Sequence, residues 1–461
     1  MIETTTSDSD SIHAVSTKRI LLNAFDMCTV GHLSPGQWKN CKDHSASKRK
    51  LDYWINLAKL LERGGINALF LADTYGEYDT FEGSLDNCIR RPISAMAAVS
   101  KNLAFAITAS TSFEPPFLLA KRFSTLDWMT GGSFAIGIDT PIEHDERYAQ
   151  ADEYLRADDA ITENGENDEY IDPSKIWTIK HDGKYFHLES RHIVNPSTQR
   201  TAFLFQAGTS SAGSEFAATH AEAIFVSSHS PLVLRRKIDK IRQLAAQKGR
   251  EPQSIKFFAT FAPILGSTDE EAQEKYRELK KYAIEVGGLV LVSGWTGINL
   301  SKYPPDHVLT PDDATEDHRV RSLLDQFTVT SPDVPVWTPR IIAEKASIGR
   351  LGPVVVDSPA TVADELELWV REAGVDGFNI AYITTPGSFE DVVNLLVPEL
   401  RNRGIYAEVD EQSVNDGWTA REKVYERGQA KLRNDHVGSK YKYKVYDEKK
   451  VCPPASAHPN K

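Results

Sequence analysis

Cysteine is scarce and long apolar runs are missing. The 461-residue chain has four cysteines, Cys28, Cys41, Cys88 and Cys452, with no CxxC spacing among them. That excludes a disulfide framework and offers no zinc ligand set, so a reducing, cytoplasmic setting is expected. No stretch approaches the roughly 18 consecutive apolar residues needed to span a bilayer, and no membrane association is expected. Net positive charge is lacking too. The formal net charge is −12, a sign that repels phosphodiester backbones, so nucleic acid is not an expected partner. The basic segment 439–450 interleaves lysine with tyrosine, a pattern able to stack bases, but its isolation ahead of Pro453-Pro454 reads as a solvated tail. The first residues are polar and acidic, unlike a secretory signal or a transit peptide; a disordered arm over 1–18 is the expectation.

Several catalytic signatures are also absent. The loop Gly208-Thr-Ser-Ser-Ala-Gly213 lacks the Gly-Lys-Ser/Thr ending of a phosphate-binding Walker loop and the spacing of a dinucleotide fingerprint. Ala212 stands where a nucleophile elbow needs glycine, which speaks against a serine hydrolase. Acidic residues crowd around His144, but no His-Glu-x-x-His spacing occurs, so no metal site is expected.

What is present is alternation. Short runs rich in Ile, Val and Phe at 19–25, 68–72, 103–110, 133–138, 202–207, 223–227, 255–265 and 377–381 are separated by amphipathic stretches such as 51–63, 116–128, 231–248 and 360–372. Runs that alternate with helical patterns indicate βαβ units and a parallel sheet. Eight of them predict an α/β fold, a (β/α)8 TIM barrel. The interval 266–376 is too long for one crossover, and it is expected to form an inserted subdomain between strands 7 and 8. The barrel would occupy 19–405, and 406–461 would form a peripheral helix, over 418–427, and a loose tail.

In parallel α/β proteins, ligands bind at the carboxyl ends of the strands, and polar groups cluster there in this chain. Asp73 closes the second run, Thr108 and Ser110 close the third, and Ser210 and Ser211 follow the fifth. Asp73 can accept hydrogen bonds from a ring N–H or a sugar hydroxyl, although it would serve equally as a helix cap. The Ser210–Ser211 loop opens a helix, where free amides and the helix dipole favour an anion; it is also a routine barrel turn. His144 and Tyr148, four residues apart, share one face of a predicted helix, as a ligand-gripping pair or as ordinary packing.

Taken together, these motifs resemble the flavin-dependent monooxygenases of the bacterial luciferase-like superfamily, in the group with the nitrilotriacetate, EDTA and dibenzothiophene-sulfone monooxygenases. The resemblance runs through Leu22-Asn-Ala-Phe-Asp26, Gly31-His-Leu-Ser-Pro-Gly-Gln-Trp38, Leu69-Phe-Leu-Ala-Asp73, Thr108-Ala-Ser-Thr-Ser-Phe-Glu-Pro-Pro-Phe117, His144-Asp-Glu-Arg-Tyr148, Gln206-Ala-Gly208, Ser293-Gly-Trp-Thr-Gly297 and Gly377-Phe-Asn379. It implies a TIM barrel of the luciferase-like type that binds reduced FMN, with O2 and a small organic substrate as reactants. A separate NAD(P)H-dependent flavin reductase would supply the FMNH2, and the protein would be a homo-oligomer. It further implies that Asp73, Thr108 and Ser110 line the flavin, that His144 and Tyr148 meet its ribityl phosphate side, and that Ser210 and Ser211 hold the phosphate. No catalytic acid or base is implied, because the cofactor supplies the reactivity.

Three departures from the family pattern stand out. The family's loop and helix start are missing after Cys88-Ile-Arg-Arg91, as is a helix end after Tyr154-Leu-Arg156. After Gly132-Ser-Phe-Ala-Ile136 the usual strand end and following helix are absent, and the chain reaches Asp139-Thr-Pro141 at once. The third gap removes residues that would touch flavin and substrate. Two functions therefore stay open: an FMNH2-dependent monooxygenase, or a catalytically impaired barrel that keeps the scaffold and weak flavin binding. A deazaflavin-dependent oxidoreductase fits less well, given Glu114-Pro-Pro-Phe117 and Ser293-Gly-Trp-Thr-Gly297.

Overall fold

A computed structural model describes residues 19–72, 79–84, 86, 103–110, 116–139, 161–164, 169–171, 178–182, 187–191, 198–313, 327–328, 331–332, 335–349, 352–407 and 417–441. The expected arm at 1–18 lies outside them. Four parallel strands come first: β1 (Leu21–Met27), β2 (Ala68–Ala72), β3 (Ala104–Ser110) and β4 (Phe134–Asp139). Two antiparallel hairpins follow, β5 (Ile161–Asn164) with β6 (Glu169–Ile171) and β7 (Thr178–Asp182) with β8 (His187–Arg191). The parallel series resumes with β9 (Phe203–Ala207), β10 (Ala223–Val226), β11 (Lys256–Leu265), β12 (Val354–Asp357) and β13 (Gly377–Ala381). Pairing runs β10-β9-β4-β3-β2-β1-β13-β11, and β10 also pairs with β11. The eight strands therefore close into a parallel (β/α)8 barrel, as the sequence indicated.

The outer layer includes α1 (Leu51–Gly64), α2 (Pro116–Met129), α3 (Ser211–His220) and α4 (Pro231–Gln247). Their starts are local chemistry. Ser230 caps α4 by accepting from the Val233 amide, with Pro231 at the first helical position, where its missing N–H costs nothing. Gly65 ends α1 in a left-handed conformation, which glycine adopts without a Cβ clash.

Inside the barrel the packing is aromatic. Phe70 meets Phe25 at 5.6 Å and Phe225 at 4.3 Å, and Phe205 stacks on Phe225 at 4.7 Å and meets Phe258 at 5.8 Å. These contacts identify the inward face of five strands; full burial of such a ring contributes roughly 1.5 to 3 kcal/mol, and the half-buried Phe225 contributes less.

Between β11 and β13 the chain makes the long excursion that the interval 266–376 foreshadowed. It contains α5 (Asp269–Lys280), α6 (Glu285–Thr296), α7 (Pro339–Ala346) and α8 (Pro359–Ala373). Strand β12 pairs with the second half of β11, at Ala262–Leu265, beyond the register shared with β13. A second apolar cluster joins α6 and α7 to Met27, at the end of β1, with Ala72 packed beside it. The excursion thus roofs the carboxyl end of the barrel.

The opposite end is sealed by residues 417–441, for which a peripheral helix over 418–427 and then a loose tail were expected. A short helix, α9 (Ala420–Val424), carries the fully buried Arg421, which pairs with Glu222 at 2.7 and 2.8 Å and donates to the Thr201 and Ala202 carbonyls. Burial raises the Glu222 pKa, but the charge of Arg421 and its hydrogen bonds outweigh that and hold it below the usual carboxylate value. Residues 442–461, including most of the basic segment, lie outside the described residues.

Candidate active site

Register carries the inward face around the wall. Phe70 pairs with Ala106, so Thr108, two residues on, faces inward as well. Phe258 faces inward, hence so does Thr260, in register with Asn379, which is in register with Asn23. Asn23 is buried with neither amide atom hydrogen-bonded, and Asn379 Oδ1 is likewise unbonded. Such leftover capacity is what a bound solvent or ligand group satisfies. Thr108, Phe225, Ser227, His229 and Thr260 are only half-buried, so a recess opens between the phenyl layer and the roof.

Of the residues expected to bind cofactor, Thr108 donates a long 3.4 Å hydrogen bond to the Leu71 carbonyl. Ser110 ends β3 in register with Asp139 of β4. Ser210 is the N-cap of α3 and accepts from the Gly213 amide at 3.0 Å; Ser211 is the first helical residue and exposed. The preceding Gly208 has φ 105, a conformation that glycine adopts freely. The Ser210 hydroxyl keeps its own hydrogen to donate, and the amides of Ser211 and Ala212 have no acceptor among the described residues. This donor set fits a phosphate. With only β4 between them, the ends of β3 and β9 place Thr108, Ser110, Ser210 and Ser211 on one side of the mouth. Asp73, His144 and Tyr148 lie outside the described residues.

Other mouth residues escaped the sequence reading. His32 is buried between Phe25, at 6.5 Å, and Trp295 of the roof, at 6.1 Å; its place in Gly31-His32, just after the first strand, was the available signal. His229 follows β10 and lies 4.7 Å from Trp337 and 6.3 Å from Phe327. Burial, with help from the Lys345 charge, lowers its pKa to about 3, so it is neutral at physiological pH. Ser227 and Thr260 share a 3.0 Å hydroxyl contact.

Behind the wall, Lys48 is buried against Asp26 at 2.5 Å. Its ammonium also donates to the Tyr382 hydroxyl at 2.6 Å and to the carbonyls of Met27 and Thr29 at 3.0 and 3.3 Å. Tyr53 donates to the second Asp26 oxygen at 3.0 Å, and burial, then the Asp26 charge, raises its pKa well above the ordinary value. This network ties the mouth ends of β1 and β13 to the loop carrying His32. A groove of about 550 Å³ lined by His44, Lys50, Tyr53, Arg63 and Glu390 contains none of the expected cofactor residues. Among the described residues no group of His, Cys, Asp and Glu could hold a metal, and no helix is long and apolar enough to cross a membrane.

A closed parallel barrel with hydroxyls and a donor-rich helix N-terminus at its roofed carboxyl end has the layout in which barrel proteins hold small molecules. The luciferase-like monooxygenase family matches residues 30–377. A dimethyl-sulfide monooxygenase of Hyphomicrobium sulfonivorans is 42% identical over 84% of this chain and 87% of its own length. A long-chain alkane monooxygenase of Geobacillus thermodenitrificans is 38% identical over 92% and 98%. The crystal structure of a long-chain alkane monooxygenase superposes with a TM-score of 0.81 at 37% identity, covering 92% of this chain and 100% of that one. A riboflavin lyase solved with modified FMN gives 0.81 at 27% identity, over 92% and 99%. The chain belongs to the luciferase-like monooxygenase family and is a flavin-dependent monooxygenase. Enzymes of this family take O2, an organic substrate and reduced flavin from a separate reductase.

Proposed function

We propose that the protein is an FMNH2-dependent monooxygenase that inserts one atom of O2 into a small organic substrate, using FMN reduced by a separate NAD(P)H-dependent reductase. The donor set at the N-terminus of α3 carries the reading: a hydroxyl and two uncommitted amides at a helix start, on the strand-end face, suit the FMN phosphate. In this reading Ser210 and Ser211 hold the phosphate, while Thr108 and Ser110 border the ring system with Asp73; His144 and Tyr148 grip the ribityl side. The bound reduced flavin supplies the reactivity toward O2. The polypeptide binds, orients and excludes water, the last through the apolar roof of Trp295, Trp337 and Phe327. The protein would work in the cytoplasm, as its sparse cysteines suggest, and as a homo-oligomer.

The second reading, a catalytically impaired barrel with weak flavin affinity, is favoured by the residues missing after Ile138. Titration with FMN, followed by turnover with a flavin reductase, NADH and dimethyl sulfide or an alkane, separates the two. Oxygenated product supports the first reading. Flavin binding without product over the whole panel supports the second, and absence of flavin binding defeats both.

A further inference from the structure

The wall formed by the ends of β10 and β11 holds polar groups that the flavin reading leaves unused. Ser227 continues the inward face of β10 beyond Phe225, and Thr260 continues that of β11 beyond Phe258; their hydroxyls meet at 3.0 Å. In such a pair one hydroxyl donates to the other, so one hydrogen remains to be placed. Two residues beyond Ser227, His229 is flanked by Trp337 and Phe327 of the roof, and it makes no hydrogen bond to a described residue. A neutral imidazole carries one N–H and one lone pair, and Lys345, whose charge helps keep it neutral, is itself exposed. All three residues are half-buried and border the recess under the roof.

We propose that Ser227, Thr260 and His229 form the specificity wall of the substrate pocket and recognise an uncharged molecule carrying a hydrogen-bond-accepting oxygen on an apolar frame. The aromatic roof takes the frame; the spare O–H and N–H take the oxygen. A site built to hydrogen-bond a ligand discriminates against the analogue lacking that group, because its own buried donors are then left without partners. The inference rests on the monooxygenase reading above, since it assumes that the recess is the substrate side of a flavin site.

The test uses the full chain loaded with oxidised FMN and two probes of the same skeleton, methyl phenyl sulfone and methyl phenyl sulfide, titrated by the change in flavin absorbance. The unsubstituted protein should bind the sulfone more tightly than the sulfide. Thr260→Val and His229→Phe should each weaken the sulfone about five- to tenfold, the scale of one neutral hydrogen bond, while the sulfide changes by less than about twofold. Ser227→Ala, the mildest change, should act in the same direction and guards against a variant that fails to fold. Equal binding of the two probes by the unsubstituted protein, or equal loss of both in the variants, would overturn the proposal. Failure to take up FMN at all would appear before any probe is added, and would remove the monooxygenase reading together with this inference.

Discussion

Lys48 shows how a single buried charge can organise the mouth. Its ammonium holds Asp26 and the carbonyls of Met27 and Thr29, so the turn leaving β1 is fixed by one buried side chain. Removing one member of such a pair strands the other charge. Lys48→Met should therefore destabilise by about 3 to 5 kcal/mol, and adding Asp26→Asn should recover much of the loss, because the remaining groups are then neutral. Urea unfolding of the two single variants and the double variant checks this; a double-variant loss equal to the sum of the single losses would mean that the pair is not coupled. His436 provides a pH-dependent counterpart. Its Nδ1 accepts from the Gly438 amide at 3.0 Å and its Nε2 faces the His220 carbonyl at 2.9 Å, an arrangement that only the neutral ring satisfies. Burial lowers its pKa to about 4. Because the folded value lies below the unfolded one, its stabilising contribution is complete above about pH 6.5 and is lost as pH falls toward about 4. Between pH 7 and 5 that loss is about 2 kcal/mol, and His436→Gln should abolish that part of the slope in unfolding measured at several pH values. Neither residue was conspicuous in the sequence. Lys48 sits in an ordinary polar stretch and His436 in a segment read as tail, and only tertiary contact gives each a role.

At the level of elements, the apolar runs located all eight barrel strands because a parallel strand is buried on both faces and leaves an unbroken hydrophobic signature. The two hairpins escaped for the opposite reason. Thr178–Asp182 and His187–Arg191 are short and mostly polar, so neither an apolar run nor a clean alternation marks them. Strand β12 is a four-residue Val-Val-Val-Asp segment, brief enough to pass as part of the surrounding excursion. The start of α3 was legible, since a Gly/Ser loop between a strand and a helix announces a helix start and a candidate anion site, although the Ser210 cap itself was not foreseen. Ser210 then has two separable tasks. Ser210→Ala should cost the FMN-free protein about 1 kcal/mol through loss of the cap, and should weaken FMN a further tenfold or so through loss of a charge-assisted donor. Thermal unfolding without FMN reads the first and a flavin titration the second. A stability loss with unchanged FMN affinity would leave Ser210 a cap alone.

Across the whole molecule, the excursion that roofs the barrel and the barrel itself followed from interval lengths, whereas the sealing of the floor by 417–441 did not, because a buried arginine carries no sequence pattern of its own. Candidate site residues could be picked out in the sequence where hydroxyls end strands, but not where a histidine or an ion pair depends on distant chain segments. The missing residues after Ile138 raised the prospect of an uncovered barrel face, at about 25 cal/mol per Å² of apolar surface. The outer side of β4 is nevertheless covered over its described side chains. Phe134 and Ile136 are buried, Phe123 of α2 packs on Phe134 at 5.1 Å, and Gln199 donates to the Phe134 carbonyl at 2.8 Å. The shortening therefore should not act on stability. Its place is the mouth, where β4 ends between the hydroxyls of β3 and the phosphate-suited start of α3, so it should act on ligand binding. Inserting a family-like strand end and helix after Ile138 should leave the thermal midpoint within about 2 °C and tighten FMN binding. A midpoint that climbed in step with FMN affinity would show instead that the barrel face had been bare, and that the short connection weakens the scaffold before it weakens the site.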